Sequence, residues 1–255
     1  MKIHFLGTCA GTEPFPGRRH SCTVIEHNDR LYWLDAGEGC SVTGHTMGLD
    51  LLKTKKIVIS HPHIDHVGGL ANLLWTVRKL SGRKQQIPED IDLYTPLLEV
   101  SDSVFSLLKS TEGGFVTKFK INVHEVNDGV LFDEDGIKVN AFHNAHVTAP
   151  EKKDWISFSY LIEAENKKIV YSGDVKSYSE LNALIGDHCD ALIIETGHFG
   201  IDDVYEYTKS KSIDRVFFSH NGREILNFPE SSQEKVNDLF EGKGIICEDR
   251  MTVEI

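Results

Sequence analysis

Ile57-Val58-Ile59-Ser60-His61-Pro62-His63-Ile64-Asp65-His66-Val67-Gly68-Gly69 joins a buried strand to a helix through a run of metal-binding side chains. Ile57–Ser60 has the continuous apolar pattern of an interior strand, and Val67–Leu80 carries apolar residues at helical spacing. Between them stand His61, His63, Asp65 and His66, four candidate ligands within six residues. His61 and His63 are two apart, so a loop at a strand end can turn both to one centre. Asp65 and His66 fall in the first helical turn and face a neighbouring position. Neutral imidazoles and a carboxylate suit zinc, iron or manganese. Gly68-Gly69 lets the backbone pack closely beside such a centre. A lone His-x-His would say little, whereas four ligands at a strand-to-helix turn read as a metal site.

Outward from this segment the chain is unremarkable in bulk. Its 255 residues, 40% hydrophobic and 26% charged, fit a soluble globular domain, and residues 1–255 are expected to form one. No apolar run approaches the roughly 20 residues of a membrane span. Met1–Gly7 lacks the apolar segment and small-residue cleavage site of a signal peptide. A cytoplasmic location with no membrane partner is therefore expected. Cys9, Cys22, Cys40, Cys189 and Cys247 form no Cys-x-x-Cys pair and read as reduced core thiols. The net charge of −12 argues against a grip on long nucleic acid, which ordinarily needs a basic footprint. It does not exclude a phosphate substrate, because bound cations dominate their local field. The short basic runs Lys53-Thr54-Lys55-Lys56, Arg78-Lys79 with Arg83-Lys84, and Lys152-Lys153 read as solvated surface.

Strand-like runs are expected at Lys2–Leu6, Cys22–Glu26, Leu31–Leu34, Ile57–Ser60, Ile91–Tyr94, Ile121–Val126 and Ile137–Phe142. Others follow at Ser157–Ile162, Lys168–Ser172, Ala191–Ile194, Val216–Ser219 and Ile245–Glu248. Helical spacing marks Val67–Leu80, Leu97–Ser110, Asp202–Ser210 and Ser231–Phe240. The order implies helices covering interior sheets, with one or two sheets left open.

His61-x-His63-x-Asp65-His66 resembles the signature of the metallo-β-lactamase superfamily. The resemblance extends to Leu6-Gly7-Thr8, Asp35-Ala36-Gly37-Glu38-Gly39, Tyr171-Ser172-Gly173-Asp174 and Phe218-Ser219-His220. It implies an α/β (α+β) fold, a four-layer αββα sandwich, around a dinuclear centre. By that resemblance His61, His63 and a third histidine would hold one metal. Asp65, His66 and His220 would hold the other, with Asp174 bridging. Asn140–His146 offers His143 and His146 for the third histidine, and the family's spacing favours His146. The link His146–Ser157, with Pro150 and Lys152-Lys153, is longer than the family's usual one. His198 resembles the histidine by which phosphodiesterase-type members assist the leaving group, a general-acid role. Glu195 would orient His198 or a ligand, and Asp35 would stand behind a ligating imidazole.

Leu6–Thr8, Asp35–Gly39 and Gly69–Arg83, with its Leu73-Leu74-Trp75 core, look most like the ribonuclease Z-like branch. The expected activity is therefore metal-dependent hydrolysis of an ester bond, most simply a phosphoric diester. Two divalent ions, zinc first with manganese or iron as alternatives, would share a hydroxide nucleophile; Asp65 would take its proton and His198 would protonate the leaving oxygen. The substrate would be an RNA 3′ end or a small phosphodiester such as a cyclic nucleotide. The missing Gly/Pro-rich arm and the acidic charge make the smaller one as plausible as transfer RNA. Rival readings are a lactone or thioester hydrolase, an iron dioxygenase, and a ligand-depleted binding protein. A homodimer is left open, and Gly11–Arg19 is either a wall of the site's mouth or plain surface.

Overall fold

Strand pairing divides the chain between two seven-stranded sheets in this computed structural model, which describes residues 1–149, 151 and 153–255. Pro150 and Lys152, singled out above, lie outside the described residues. The first sheet takes β1 (Lys2–Gly7), β2 (Cys22–His27), β3 (Arg30–Leu34), β4 (Thr54–Val58), β5 (Ile91–Thr95) and β6 (Ile121–Glu125). The second takes β7 (Gly129–Glu134), β8 (Ile137–His143), β9 (Phe158–Ala164), β10 (Lys167–Tyr171), β11 (Cys189–Thr196), β12 (Ile213–Asn221) and β13 (Gly244–Ile246). β14 (Met251–Glu254) returns to pair with β1, giving the orders β14-β1-β2-β3-β4-β5-β6 and β13-β12-β11-β10-β9-β8-β7.

Alternation along the strands explains the layering. In β4, Ile57 packs outward against helices while Val58 enters the layer between the sheets. Both faces are covered, so the strand reads as an unbroken apolar run. The inter-sheet layer holds Phe5, Tyr32, Tyr160 and Phe217. Outside the first sheet lie α1 (Cys40–Thr46), α2 (Ile64–Val67), α3 (Leu70–Lys84) and α4 (Leu98–Thr111). There Leu70, Leu73, Leu74 and Val77 of α3 pack on Trp33 and Ile57. Outside the second lie α5 (Asn182–Ile185), α6 (Ile201–Thr208), α7 (Arg223–Asn227) and α8 (Pro229–Phe240), with Val204 and Val236 against Leu192 and Phe218. The result is the four-layer αββα sandwich. No helix among the described residues is long and apolar enough to cross a membrane.

Two basic runs correct the surface reading. Lys56 is 1% exposed, with its ammonium 2.7 Å from both Asp92 on β5 and Glu134 on β7. β4 runs through the interior, so this side chain must be paired, and it ties one sheet to the other. Lys153 also turns inward, donating to the Val126 carbonyl and lying 5.6 Å from the Phe158 ring centre. β7 and β14 escape the strand pattern because, of their side chains, only Phe132 is buried, and Asp133 and Glu254 are exposed charges.

The parallel neighbours β3, β4, β5 and β6 in one sheet and β10, β11, β12 and β13 in the other send their carboxyl ends to one rim. His61–His66 follows β4, Asp174 follows β10, and His220 ends β12 beside it. Open α/β sheets place their ligand sites at such carboxyl ends.

Candidate metal centre

Two clusters share one carboxylate. His61, His63, His146 and Asp174 bring one ligand atom each to within 4.8 Å of one another. Asp174 Oδ2 lies 3.8 Å from His61 Nε2 and 3.6 Å from His146 Nε2, and His63 Nδ1 is 3.5 Å from His146 Nε2. Asp65, His66 and His220 form the second cluster. Asp174 Oδ1 stands 3.4 Å from Nε2 of both His66 and His220. Asp65 Oδ2 is 3.4 Å from His66 Nε2 and 3.1 Å from His220 Nε2. Asp174 thus turns one oxygen toward each cluster.

The donors fit a cation. His61 Nε2, His66 Nε2 and Asp174 Oδ1 are buried with no hydrogen-bond partner among the described residues. Buried polar atoms are ordinarily paired, so convergent unpaired lone pairs indicate where a metal would sit. Charge points the same way. Burial opposes the anion at Asp65, yet the hydrogen-bonded His220 and the nearby His66 imidazole hold its carboxyl well below the usual range. Burial also opposes charge at Asp174, where the imidazoles of His220 and His66 prevail and lower it. Burial pushes His61, His63 and His146 down, toward the neutral ligating form. His66 moves up despite burial because Asp174 and Asp35 face it.

The side chains behind the clusters are buried as deeply as His61 and His66. Asp35 is fully buried, and its Oδ2 accepts from His66 Nδ1 at 2.7 Å, Ser60 Oγ at 2.8 Å and Tyr171 OH at 2.7 Å. Its Oδ1 accepts from the Ser60 amide at 2.6 Å. This carboxylate keeps the proton of neutral His66 on Nδ1 and leaves Nε2 to face the cluster. Asn144 does the equivalent for the loop after β8, its Oδ1 accepting from the His146 amide at 3.1 Å and from Ser157 Oγ at 2.6 Å. Asn144, Ser60 and the Tyr171 hydroxyl were not singled out in sequence. Tyr171 carried a signal, a hydroxyl at the carboxyl end of β10 directly after the buried Ile169-Val170.

His198 sits at the rim, with its side chain 45% exposed and Nδ1 3.8 Å from Asp174 Oδ2. Glu195, 2% exposed, receives that Nδ1 at 2.9 Å and the His198 amide at 3.1 Å. The carboxylate raises the His198 pKa against the effect of burial. With Nδ1 engaged, Nε2 is the nitrogen left to meet a substrate. His143 lies outside both clusters: its Nδ1 contacts Asp128 at 2.6 Å and its ring stacks on Trp155 at 4.2 Å. A further grouping of His188, Asp190 and Asp214 is largely exposed, and Asp190 is already engaged by Lys167 and the Lys168 amide.

Comparison with known proteins agrees with this architecture. Ribonuclease Z of Methanococcus aeolicus is 26% identical over 327 aligned positions, covering 100% of this chain and 98% of that protein. The short form of human tRNase Z superposes with a TM-score of 0.76 at 22% identity, over 100% of this chain and 99% of the other. Unliganded yeast PDE1 superposes with a TM-score of 0.68 at 15% identity, over 100% and 99%. These two likenesses establish the fold. A family profile described as Anti-Pycsar protein Apyc1 matches residues 1–200. With more than half its length matched, the chain belongs to the Anti-Pycsar protein Apyc1 family, a ribonuclease Z-like hydrolase of the metallo-β-lactamase superfamily.

Proposed function

We propose that this chain is a dinuclear, zinc-dependent phosphodiesterase acting in the cytoplasm on a small phosphoric diester, with a cyclic nucleotide as the first candidate. The observation that carries it is Asp174, whose two oxygens face two separate clusters of imidazole and carboxylate donors. His61, His63 and His146 would hold one ion, Asp65, His66 and His220 the second, and Asp174 both. When bound, such ions lower the pKa of water and offset charge on a phosphoryl oxygen. Both sheets supply ligands, which favours residues 1–255 working as a single domain.

The side chains divide the remaining work. Asp65 accepts a hydrogen bond from the attacking water and orients it. His198, held by Glu195 and favoured in its protonated form, donates from Nε2 to the departing oxygen. A small substrate is favoured over transfer RNA by the charge of −12 and by the inward turn of Lys56 and Lys153, which thins the basic surface further. An RNA 3′ end is the second reading, favoured by the likeness to ribonuclease Z.

The test is a substrate panel with zinc- or manganese-loaded protein: bis(p-nitrophenyl) phosphate, cyclic nucleotides, a precursor tRNA, a lactone and a thioester. Diester hydrolysis, fastest on cyclic nucleotides, is expected. Cleavage of the lactone or thioester with no diester turnover contradicts the reading.

A further inference from the structure

His66 and His61 each have their second ring nitrogen engaged, by Asp35 at 2.7 Å and Ser60 Oγ at 3.0 Å. His220 does not. Its Nδ1 is buried without a hydrogen-bond partner among the described residues, and a carboxylate oxygen of Glu195 is 3.8 Å away. Histidines that bind metals ordinarily have that nitrogen held, which fixes the ring. Something else must orient His220.

Backbone does so. A Cβ added at Gly197 would stand 2.5 Å from His220 Nδ1 and 2.7 Å from its Cε1. Across the cluster, a Cβ added at Gly11 would stand 2.8 Å from Asp65 Oδ2 and 3.0 Å from its Cγ. Neither glycine is among those with positive φ, so space, not backbone conformation, excludes a side chain at both. The two walls are tied together. The Ala10 amide donates to the Asn221 carbonyl at 3.1 Å, and the Asn221 amide to the Thr8 carbonyl at 2.6 Å. Thr196 Oγ1 bonds Asn221 Oδ1 at 3.1 Å, and Glu13 holds Arg223 through two contacts of 2.7 and 2.6 Å. His220 itself has φ 47°, a left-handed conformation that leaves its backbone little room to follow a displaced ring.

We infer that Gly197 and Gly11 are positioning residues, whose missing side chains form the slots that aim His220 and Asp65 at the second cation. Gly197 takes the place of the hydrogen bond that His220 lacks. This rests on the reading of Asp65, His66 and His220 as a metal subsite.

Zinc binding by the metal-free full chain, followed by chelator competition, tests it together with thermal unfolding. Gly197→Ala is expected to weaken one zinc equivalent at least about tenfold and spare the other, and Gly11→Ala to act in the same direction. Gly82→Ala, in α3 where an added Cβ meets nothing within 4 Å, should leave zinc uptake unchanged. The second readout is a double-mutant cycle on the metal-free protein. Gly197→Ala should lower Tm when His220 is present, and the loss should shrink in a His220→Ala background, where the crowded ring is gone and only the 3.0 Å approach to Ala10 Cβ remains. Wild-type zinc affinity in Gly197→Ala, or an equal Tm loss in both backgrounds, overturns the inference. If the unaltered protein takes up one equivalent only, the two-metal reading falls, and the Tm cycle still judges the positioning claim.

Discussion

Asp35→Ala removes the acceptor of four buried hydrogen bonds at once: His66 Nδ1, Ser60 Oγ, the Ser60 amide and the Tyr171 hydroxyl, all at 2.6–2.8 Å. At about 1 kcal/mol of net stability each, these amount to about 4 kcal/mol. Alanine at φ 62° adds about 1 kcal/mol, because the left-handed region is unfavourable for a residue without a polar side chain. The expected loss in the metal-free protein is therefore about 4–5 kcal/mol, read by urea unfolding. Asp35→Asn separates stability from metal binding. Asparagine tolerates the left-handed backbone and keeps the shape, but its amide donates where the carboxylate accepted. His66 would then offer Nδ1 as an acceptor and carry its proton on Nε2, facing the centre. Asp35→Asn should thus cost less stability than Asp35→Ala while lowering zinc affinity about 10- to 100-fold. Zinc affinity within twofold of wild type in both variants would refute the assignment of Asp35 as the group that orients His66.

His198→Ala should lower kcat about 10²- to 10⁴-fold on a cyclic nucleotide and far less on bis(p-nitrophenyl) phosphate, whose leaving group needs no proton; equal losses on both would count against a proton-donor role. His146→Ala should lose zinc measurably by equilibrium dialysis, and His143→Ala, which disturbs only the Asp128 and Trp155 contacts, should retain it. Asp92 is pushed up by burial but held down to about 2 by hydrogen bonds from Lys56, Asn122 and His124. A lowered carboxyl pKa stabilises the fold above its unfolded value of 3.8 and ceases to do so as pH falls through about 2. Asp92→Asn should thus cost about 1–2 kcal/mol at pH 7, partial exposure discounted, with the gap from wild type closing between pH 4 and 2. A gap unchanged across that range in urea titrations would show that the Lys56 pairing contributes little.

Much of the candidate site was legible because the side chains that cluster there sit where strands end, and strands with both faces buried advertise themselves as apolar runs. His61–His66 after β4 and His220 at the end of β12 are of this kind. The supports were harder to see. Ser60 and Asn144 act through several hydrogen bonds each, and nothing in their sequence neighbours distinguishes them from turn residues. Lys56 looked like surface because a run of lysines says nothing about which alternate side chain points inward. Gly11 and Gly197 carry their meaning in what they leave empty, which only the three-dimensional arrangement reveals. β7 and β14 were missed because they lack the buried alternation of a strand: of their side chains only Phe132 is buried.

The central claim is that two cations held by one shared aspartate drive diester hydrolysis. Metal-free protein titrated with zinc, with bis(p-nitrophenyl) phosphate hydrolysis followed at each addition, tests it most directly. Activity should rise to a plateau at two equivalents per chain, and Asp174→Ala should abolish the rise. A plateau at one equivalent, or turnover that survives in Asp174→Ala, would contradict it.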